Sequence, residues 1–398
     1  MIEDALKKLT ASALLLPGLS GGLEAAVIPD SDTFSLRATQ YQEDNIKSED
    51  NLIGTDVDRY DIQVLQLAGM KRLHANRTIS ARLAIDAMTG ASPWFITRDG
   101  DEAKIVTSPS KIEDTRYDFA FSTTRYEDRF TNSFSIGASN EDDYLAIFGS
   151  WNHTLEAESK QQSTSFGLDF SYDTISPESV AGIDPIFNEE TKNSFGAFLN
   201  GAFDINPTTR FLVGGRVSHS SGYLSDPYKL VTQYFDLDPT IFTTINDERP
   251  EERTSILSTF EIRKHWVSTG LTTHLDYRFF DDDWGIQSHT VTARVAYSSD
   301  WGQWSHYIRS YQQDAANFYD TVHVIEREDG FYSSDYRLSA FDATSFGTSL
   351  VVPVKNWKTV IDVEFYDTKS SEVGLSGLEN PALIEFWRVT LGFDYAFE

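Results

Sequence analysis

The chain has 398 residues, no cysteine, 40% hydrophobic residues and a formal net charge of -28. Acidity on that scale excludes nucleic acid as a partner, which needs a basic face, and the lack of thiols fits export into an oxidising compartment. No run of about 18 apolar residues occurs, so no helix is expected to span a bilayer. The negative surplus either attracts cations at long range or simply keeps polar loops soluble.

In chain order, Lys7 and Lys8 precede an apolar segment from Leu9 to Leu16, with Pro17 and Gly18 breaking it and Ala25-Ala26 offering small residues for cleavage. That pattern predicts a signal peptide over residues 1–26 and leaves 27–398 as one domain. From Thr33 onward, segments of alternating character recur between turn residues. Phe34 to Tyr41 begins the series and Arg59 to Leu67 follows, with Tyr60, Ile62 and Val64 on one face. Thr78 to Met88, Arg116 to Arg125, Thr131 to Ala138, Leu145 to Thr154 and Ser163 to Thr174 continue it. In the last of these Phe166, Leu168, Phe170 and Tyr172 oppose Gly167, Asp169, Ser171 and Asp173. Ser194 to Phe203, Arg210 to Ser218, Ser255 to Lys264, Leu271 to Phe279, Ser288 to Tyr297 and Trp304 to Gln312 come next. Arg337 to Leu350, Trp357 to Thr368 and a final strand complete about sixteen, the even number expected of an antiparallel transmembrane β-barrel of the up-and-down, all-β class.

The connections test that count. Long ones, around residues 44–56, 94–114, 176–190, 222–252, 314–334 and 370–381, alternate with brief turns such as Asn206-Pro207-Thr208. They therefore fall at one end of a barrel, as extracellular loops do, with short turns at the periplasmic end. No single loop is obviously long enough to plug about sixteen strands. A soluble sandwich or propeller would not repeat one wholly apolar side along the entire chain. Trp266, Trp301, Trp304 and Trp357 fall near the short turns, where an aromatic girdle belongs.

The last strand places Trp387, Val389, Leu391, Phe393, Tyr395 and Phe397 on one face and Arg388, Thr390, Gly392, Asp394 and Ala396 on the other. Thr390, Gly392, Tyr395 and Phe397 resemble the terminal signal by which outer-membrane barrels are recognised for insertion, which implies the barrel assembly machinery as a partner. Glu398 departs from it, because that signal ends on the aromatic.

With the apolar face toward lipid, the polar face lines the lumen. It carries Arg82, Arg216, Arg263, Arg278, Arg294, Arg309, Arg337 and Arg388 against Asp86, Asp118, Asp169, Asp173, Glu261, Asp276, Asp362, Glu364 and Asp394. Opposed charges of this kind either make a field across a water-filled channel or form ion pairs that pack the lumen partly shut.

Chemistry is thinly signalled. Eight His occur without a metalloprotease, P-loop or dinucleotide motif. Asp281-Asp282-Asp283-Trp284-Gly285 lacks the spacing and closing Glu of a calcium loop. His219 beside Ser218 and Ser220, near Asp226, is the best local catalytic candidate, yet its spacing carries no signature. No catalytic residue, metal ligand or cofactor is assigned.

Five stretches carry a resemblance: Thr89-Gly90-Ala91-Ser92-Pro93, Gly222 to Lys229, His289-Thr290-Val291, Gln313 to Tyr319 and Ser333 to Phe341. Together, and most specifically through Ser225-Asp226-Pro227-Tyr228-Lys229 and Arg337-Leu338-Ser339-Ala340-Phe341, the chain resembles a family of uncharacterised bacterial outer-membrane barrels, a domain of unknown function. The resemblance implies a Gram-negative envelope setting, with genes for a small lipoprotein and a flavin-attaching transferase nearby; no flavin acceptor motif is evident here.

The expectation is a bacterial outer-membrane barrel serving as a passive, porin-like pore or conduit with a mixed-charge lumen, favouring cationic or small polar solutes and in contact with outer-membrane lipid. The alternative is a closed barrel acting as scaffold for an envelope redox or secretion partner, a lipoprotein among them. A rim hydrolase is the third reading. If the segments around Ser225 to Lys229 and Ala315 to Tyr319 carry function, both should lie at the outward rim and turn in over the lumen.

Overall fold

The computed structural model describes residues 28–108, 112–179, 185–234 and 241–397. The expected signal peptide and Glu398 lie outside them. Sixteen strands form a closed antiparallel barrel. They are β1 (Thr33–Glu43), β2 (Asp61–His74), β3 (Arg77–Gly90), β6 (Ile112–Tyr126), β7 (Phe130–Asn140), β8 (Tyr144–Glu156), β9 (Gln162–Ile175) and β10 (Glu190–Asn206). The second half holds β11 (Thr209–Gly222), β14 (Glu252–Trp266), β15 (Leu271–Asp282), β16 (Gln287–Ser299), β17 (Gly302–Gln313), β18 (Phe341–Val354), β19 (Trp357–Ser370) and β20 (Phe386–Ala396). Two hairpins, β4 (Pro93–Asp99) with β5 (Glu102–Thr107) and β12 (Leu230–Tyr234) with β13 (Phe242–Asn246), stand apart from the wall.

Each expected strand finds a counterpart, and the alternation decides its faces. On β9, Leu168, Phe170 and Tyr172 are exposed on the outside, Phe170 by 54%. Phe134 and Ile136 on β7, Leu199 on β10 and Leu391 and Phe393 on β20 continue this apolar belt. So much outward hydrophobic surface has no place in water and matches a hydrocarbon surround. Trp266, Trp301, Trp304 and Trp357 are exposed beside the short turns. β20 closes on β1 with Phe34 opposite Tyr395 and Thr39 opposite Thr390.

Turns of two to five residues join the strands at one end, while long connections gather at the other. There the absence of any single loop long enough to plug the barrel is met by several acting jointly. Five connections, through their described residues 44–60, 91–108, 223–234 with 241–251, 314–340 and 371–385, fold together over the mouth instead of any one loop filling it. Ile96 on β4, Ile105 on β5, Tyr234 on β12, Val322, Tyr336 and Leu378 bury one another with Tyr41, Ile62 and Met88 from the strand ends. A second cluster joins Trp284, Ile286, Ala316, Phe318 and Leu338. Loop backbones are stitched across: Thr232 Oγ1 donates to the Ile96 carbonyl at 2.5 Å, His323 N to the Thr232 carbonyl at 2.9 Å, and Arg59 Nη1 to the Ala382 carbonyl at 3.0 Å. One hairpin buries Ile96 and Ile105 within this cap and the other Val231 and Tyr234, and neither belongs to the barrel wall, which is why they read as loops in a search for lipid-facing strands. The boundary of two expected strands moves for the same reason. Arg59 and Tyr60 precede β2, and Arg337 sits in a turn of 3-10 helix, Tyr336–Leu338, ahead of β18.

Candidate functional site

The lumen wall brings most of the expected charges into pairs. Arg116 on β6 bonds Asp86 on β3, and Asp118 lies within electrostatic reach of Arg116 and Arg82. Arg216 bonds Asp169 at 2.6 and 2.7 Å. Glu261 accepts from Arg263 and lies 3.1 Å from His274 Nδ1. Glu364 accepts from Arg388 at 2.5 Å and lies 3.8 Å from Arg309. Arg294 and Arg309 both lie over the Tyr307 ring, 5.4 Å from its centroid. Six of the expected residues, Arg82, Asp118, Asp276, Arg278, Arg294 and Asp362, make no hydrogen bond or ion pair among the described residues. Lumen charges that sequence reading passed over include Arg37, which bonds Asp394 at 2.9 Å, and Lys192, which bonds Asp173 at 2.9 Å. Arg37 alternates with Phe34 and Leu36, so its face was readable; Lys192 lies in an extension of β10 beyond its apolar repeat.

Exposure varies along the wall: Arg116 and Asp86 keep 4% and 11% of their side-chain surface and Lys192 and Asp173 keep 8% and 5%, as little as in a second set of pairs in the cap. Arg37 and Asp394 keep 26% and 29% of their side-chain surface, as groups in a solvated lumen do. In the cap, Arg249 and Asp335 keep 10% and 0%. Arg337 belongs to this second set. It bonds Asp335 and, at 3.1 Å, Asp226, while Arg249 bonds Asp247 at 2.6 Å and Asp335 at 2.9 Å. Ser333 donates to Asp247, and Lys229 Nζ donates to the Pro93 carbonyl at 2.7 Å. Burial pushes the Asp335 carboxyl up, but Arg337 and Arg249 outweigh it and hold the group far below the ordinary carboxylate range. Asp226 moves the other way, because burial raises it more than Arg337 and Lys229 lower it. Burial also lowers the Lys229 ammonium, against Asp335 and Asp226. A network this well satisfied fixes loop positions more than it adds net stability.

Between cap and wall lies a cavity of about 420 Å³. The cap contributes Tyr223 to Tyr228, Arg249, Arg337 and Leu338, and the wall contributes Lys192, Arg253, Leu257, Arg278, Phe280 and Tyr311. The segment Ser225 to Lys229 thus turns inward at the mouth, and Ala315 to Tyr319 does so through buried Ala316 and Phe318. Arg253 bonds Asp282 and stacks over Trp284, 4.4 Å from the ring centroid. At the adjoining rim Asp143 accepts from Tyr228 at 2.5 Å. Carboxylate oxygens of Asp114, Glu141 and Asp143 lie within 4.8 Å of one another there, with Arg116 3.9 Å from Glu141.

The catalytic candidate does not assemble. His219 lies opposite Phe195 on the outer face and reaches Thr254 at 3.0 Å, whereas Ser218 and Ser220 face the lumen and bond Ser255 and Ser194. Asp226 is committed to Arg337. Asp282 in the acidic turn accepts from the Trp284 and Ile286 amides at 3.1 and 2.9 Å, the work of a turn cap.

Solved structures of similar architecture include a "Bacterial polysaccharide outer membrane secretin", 8% identical, covering 94% of this chain and 100% of its own, at a TM-score of 0.48. CdiB from Acinetobacter baumannii is 7% identical over 93% of this chain and 60% of its own, at 0.49. OccAB1 from the same organism is 9% identical over 95% and 100%, at 0.44. No curated protein matches the sequence. Residues 6–385 match the family described as "Protein of unknown function (DUF3570)", and the chain belongs to that family.

Proposed function

We propose that the chain is a bacterial outer-membrane conduit for small polar solutes whose outer mouth is closed at rest by its own loops. One observation carries this: a sixteen-stranded barrel keeps partly exposed charged pairs of both signs below a cap that five connections build together. Sixteen strands leave room for water, and turns of two to five residues at the far end are too short to cover it. Insertion is assigned to the barrel assembly machinery through Thr390, Gly392, Tyr395 and Phe397, and the apolar belt to outer-membrane lipid. The test is conductance in planar bilayers. The intact protein should be nearly silent, and a variant with residues 315–339 replaced by a short Gly-Ser turn should conduct steadily. A folded, lidless barrel that stays silent overturns the reading.

The buried ion network favours a second reading, because a cap with its own core is built like a docking domain. In that case the barrel is a scaffold for an envelope partner such as a lipoprotein, which should co-purify while the lidless barrel remains silent.

A further inference from the structure

We propose that the cavity beneath the cap binds a small organic anion, a carboxylate carried on an apolar or aromatic body, and that Arg278 takes the carboxylate. The first reason is sign. Five cationic side chains line the cavity against two acids, in a chain where 61 acids outnumber 33 Lys and Arg. The groups that reach the cavity surface are thus mainly cationic in an acidic chain, and which of them a carboxylate already holds decides the site.

The second reason is that the cations are not equivalent. Lys192, Arg249, Arg253 and Arg337 are each tied to a carboxylate, at Asp173, Asp247, Asp282 and Asp335. Arg278 has no such tie among the described residues and faces the same space. Asp276 and Glu261 lie within its electrostatic reach without bonding it, so a guanidinium held on a rigid strand keeps donors for the two oxygens of a carboxylate.

The third reason is the wall beside it. Arg278 pairs in register with Thr259, and the next inward row toward the cap is Leu257 opposite Phe280. Two residues along a strand span about 7 Å, so an apolar surface begins one ring's length above the guanidinium, and Leu338 and Ile286 close it from the cap. A bare inorganic anion would leave that surface unused. The volume, about 420 Å³, accommodates a ligand of this size.

Binding does not depend on conduction, so it is measured on the full-length barrel in detergent by calorimetry. Benzoate should bind saturably, benzyl alcohol much more weakly, and sulfate should not displace benzoate. Arg278→Gln should weaken benzoate by about tenfold or more, in line with a charge-assisted hydrogen bond, and leave benzyl alcohol unchanged. Phe280→Ala should weaken both. Retained heat-modifiable mobility on gels shows that each variant is folded, and Arg278→Lys should restore part of the benzoate affinity. Equal binding of benzoate and benzyl alcohol, displacement by sulfate, unchanged affinity in a folded Arg278→Gln, or no saturable binding each overturns the proposal.

Discussion

Arg216 on β11 reaches Asp169 on β9 across the whole width of β10 by lying over Gly196, with its two terminal nitrogens 2.7 and 2.6 Å from the carboxylate. A Cβ at Gly196 would sit 2.2 Å from Arg216 Nη2 and 2.8 Å from Asp169 Oδ1. The glycine is thus required by a close approach on the lumen side. Gly196→Val should displace the bridge and cost about 1–3 kcal/mol by overpacking, read as a lower urea midpoint in detergent. Asp169→Asn should cost less in that background than in the native chain; equal costs would mean that the bridge survives the valine.

The cap should answer to Asp335 far more than to Asp226. Asp335→Asn leaves Arg249 and Arg337 buried with a neutral partner, and breaking a buried pair costs about 3–5 kcal/mol. Protease accessibility of the long loops in reconstituted vesicles measures it. Asp226 bonds Arg337 alone of the two arginines, and its charged form is already disfavoured by burial, so Asp226→Asn should open the loops much less.

The same two carboxyls respond to pH with opposite signs. Asp335, with its folded pKa depressed, contributes stability that is present above the unfolded value of about 3.9 and lost only as pH falls toward the folded one. Asp226, with its folded pKa raised, contributes stability that is fully present below about 3.9 and lost as pH rises through its folded value. Buried His323, whose pKa burial lowers, opposes the Asp226 effect as pH falls through about 6.5. It is therefore in a His323→Gln variant that acidification from pH 7 toward 4 should leave the loops protected or tighten them. Loop cleavage that increases across that window in this variant would contradict the assignment.

Strand number and the side facing lipid were legible because an apolar residue at every second position has one physical use in a chain this acidic. Phe166 to Tyr172 and Trp387 to Phe397 state it outright. The cap was not legible. Ile96, Ile105, Val231 and Tyr234 lie in short hairpins whose partners come from other loops, and no local period connects them. The anchoring ions were hidden for a related reason: Arg249 and Asp335 are 86 positions apart, and no spacing rule joins them. Arg337 was singled out as a charge facing the lumen, but its segment forms a helical turn that reaches over the mouth.

The two faces of one strand should respond oppositely to the same substitution. Phe170→Arg places a charge on the outer belt near the middle of β9 and should cost about 2–4 kcal/mol at the bilayer midplane. Ser171→Arg, next in sequence, points into the solvated lumen and should cost far less. Folding yield into lipid vesicles, followed by gel mobility without heating, measures both. Equal yields for the two variants would refute a lipid-facing Phe170.

The closing strand gives the last test. Tyr395 pairs with Phe34 across the β1–β20 seam and packs on Trp357 at 4.6 Å and on Phe397 at 4.8 Å. Phe397 N donates to the Asp32 carbonyl at 2.9 Å, so the seam is held one residue past the strand. On the inner side, Gly392 lies under the Arg37 side chain, where a Cβ would come within 2.5 Å of its Cδ. The glycine in the terminal pattern therefore has a packing role that recognition by an assembly machine does not require. Deleting residues 395–398 should abolish folded barrel in membranes. Gly392→Val should still reach the membrane, yet unfold at lower urea because Arg37 can no longer lie flat toward Asp394. A valine variant absent from the membrane but normally stable after refolding would assign Gly392 to recognition alone.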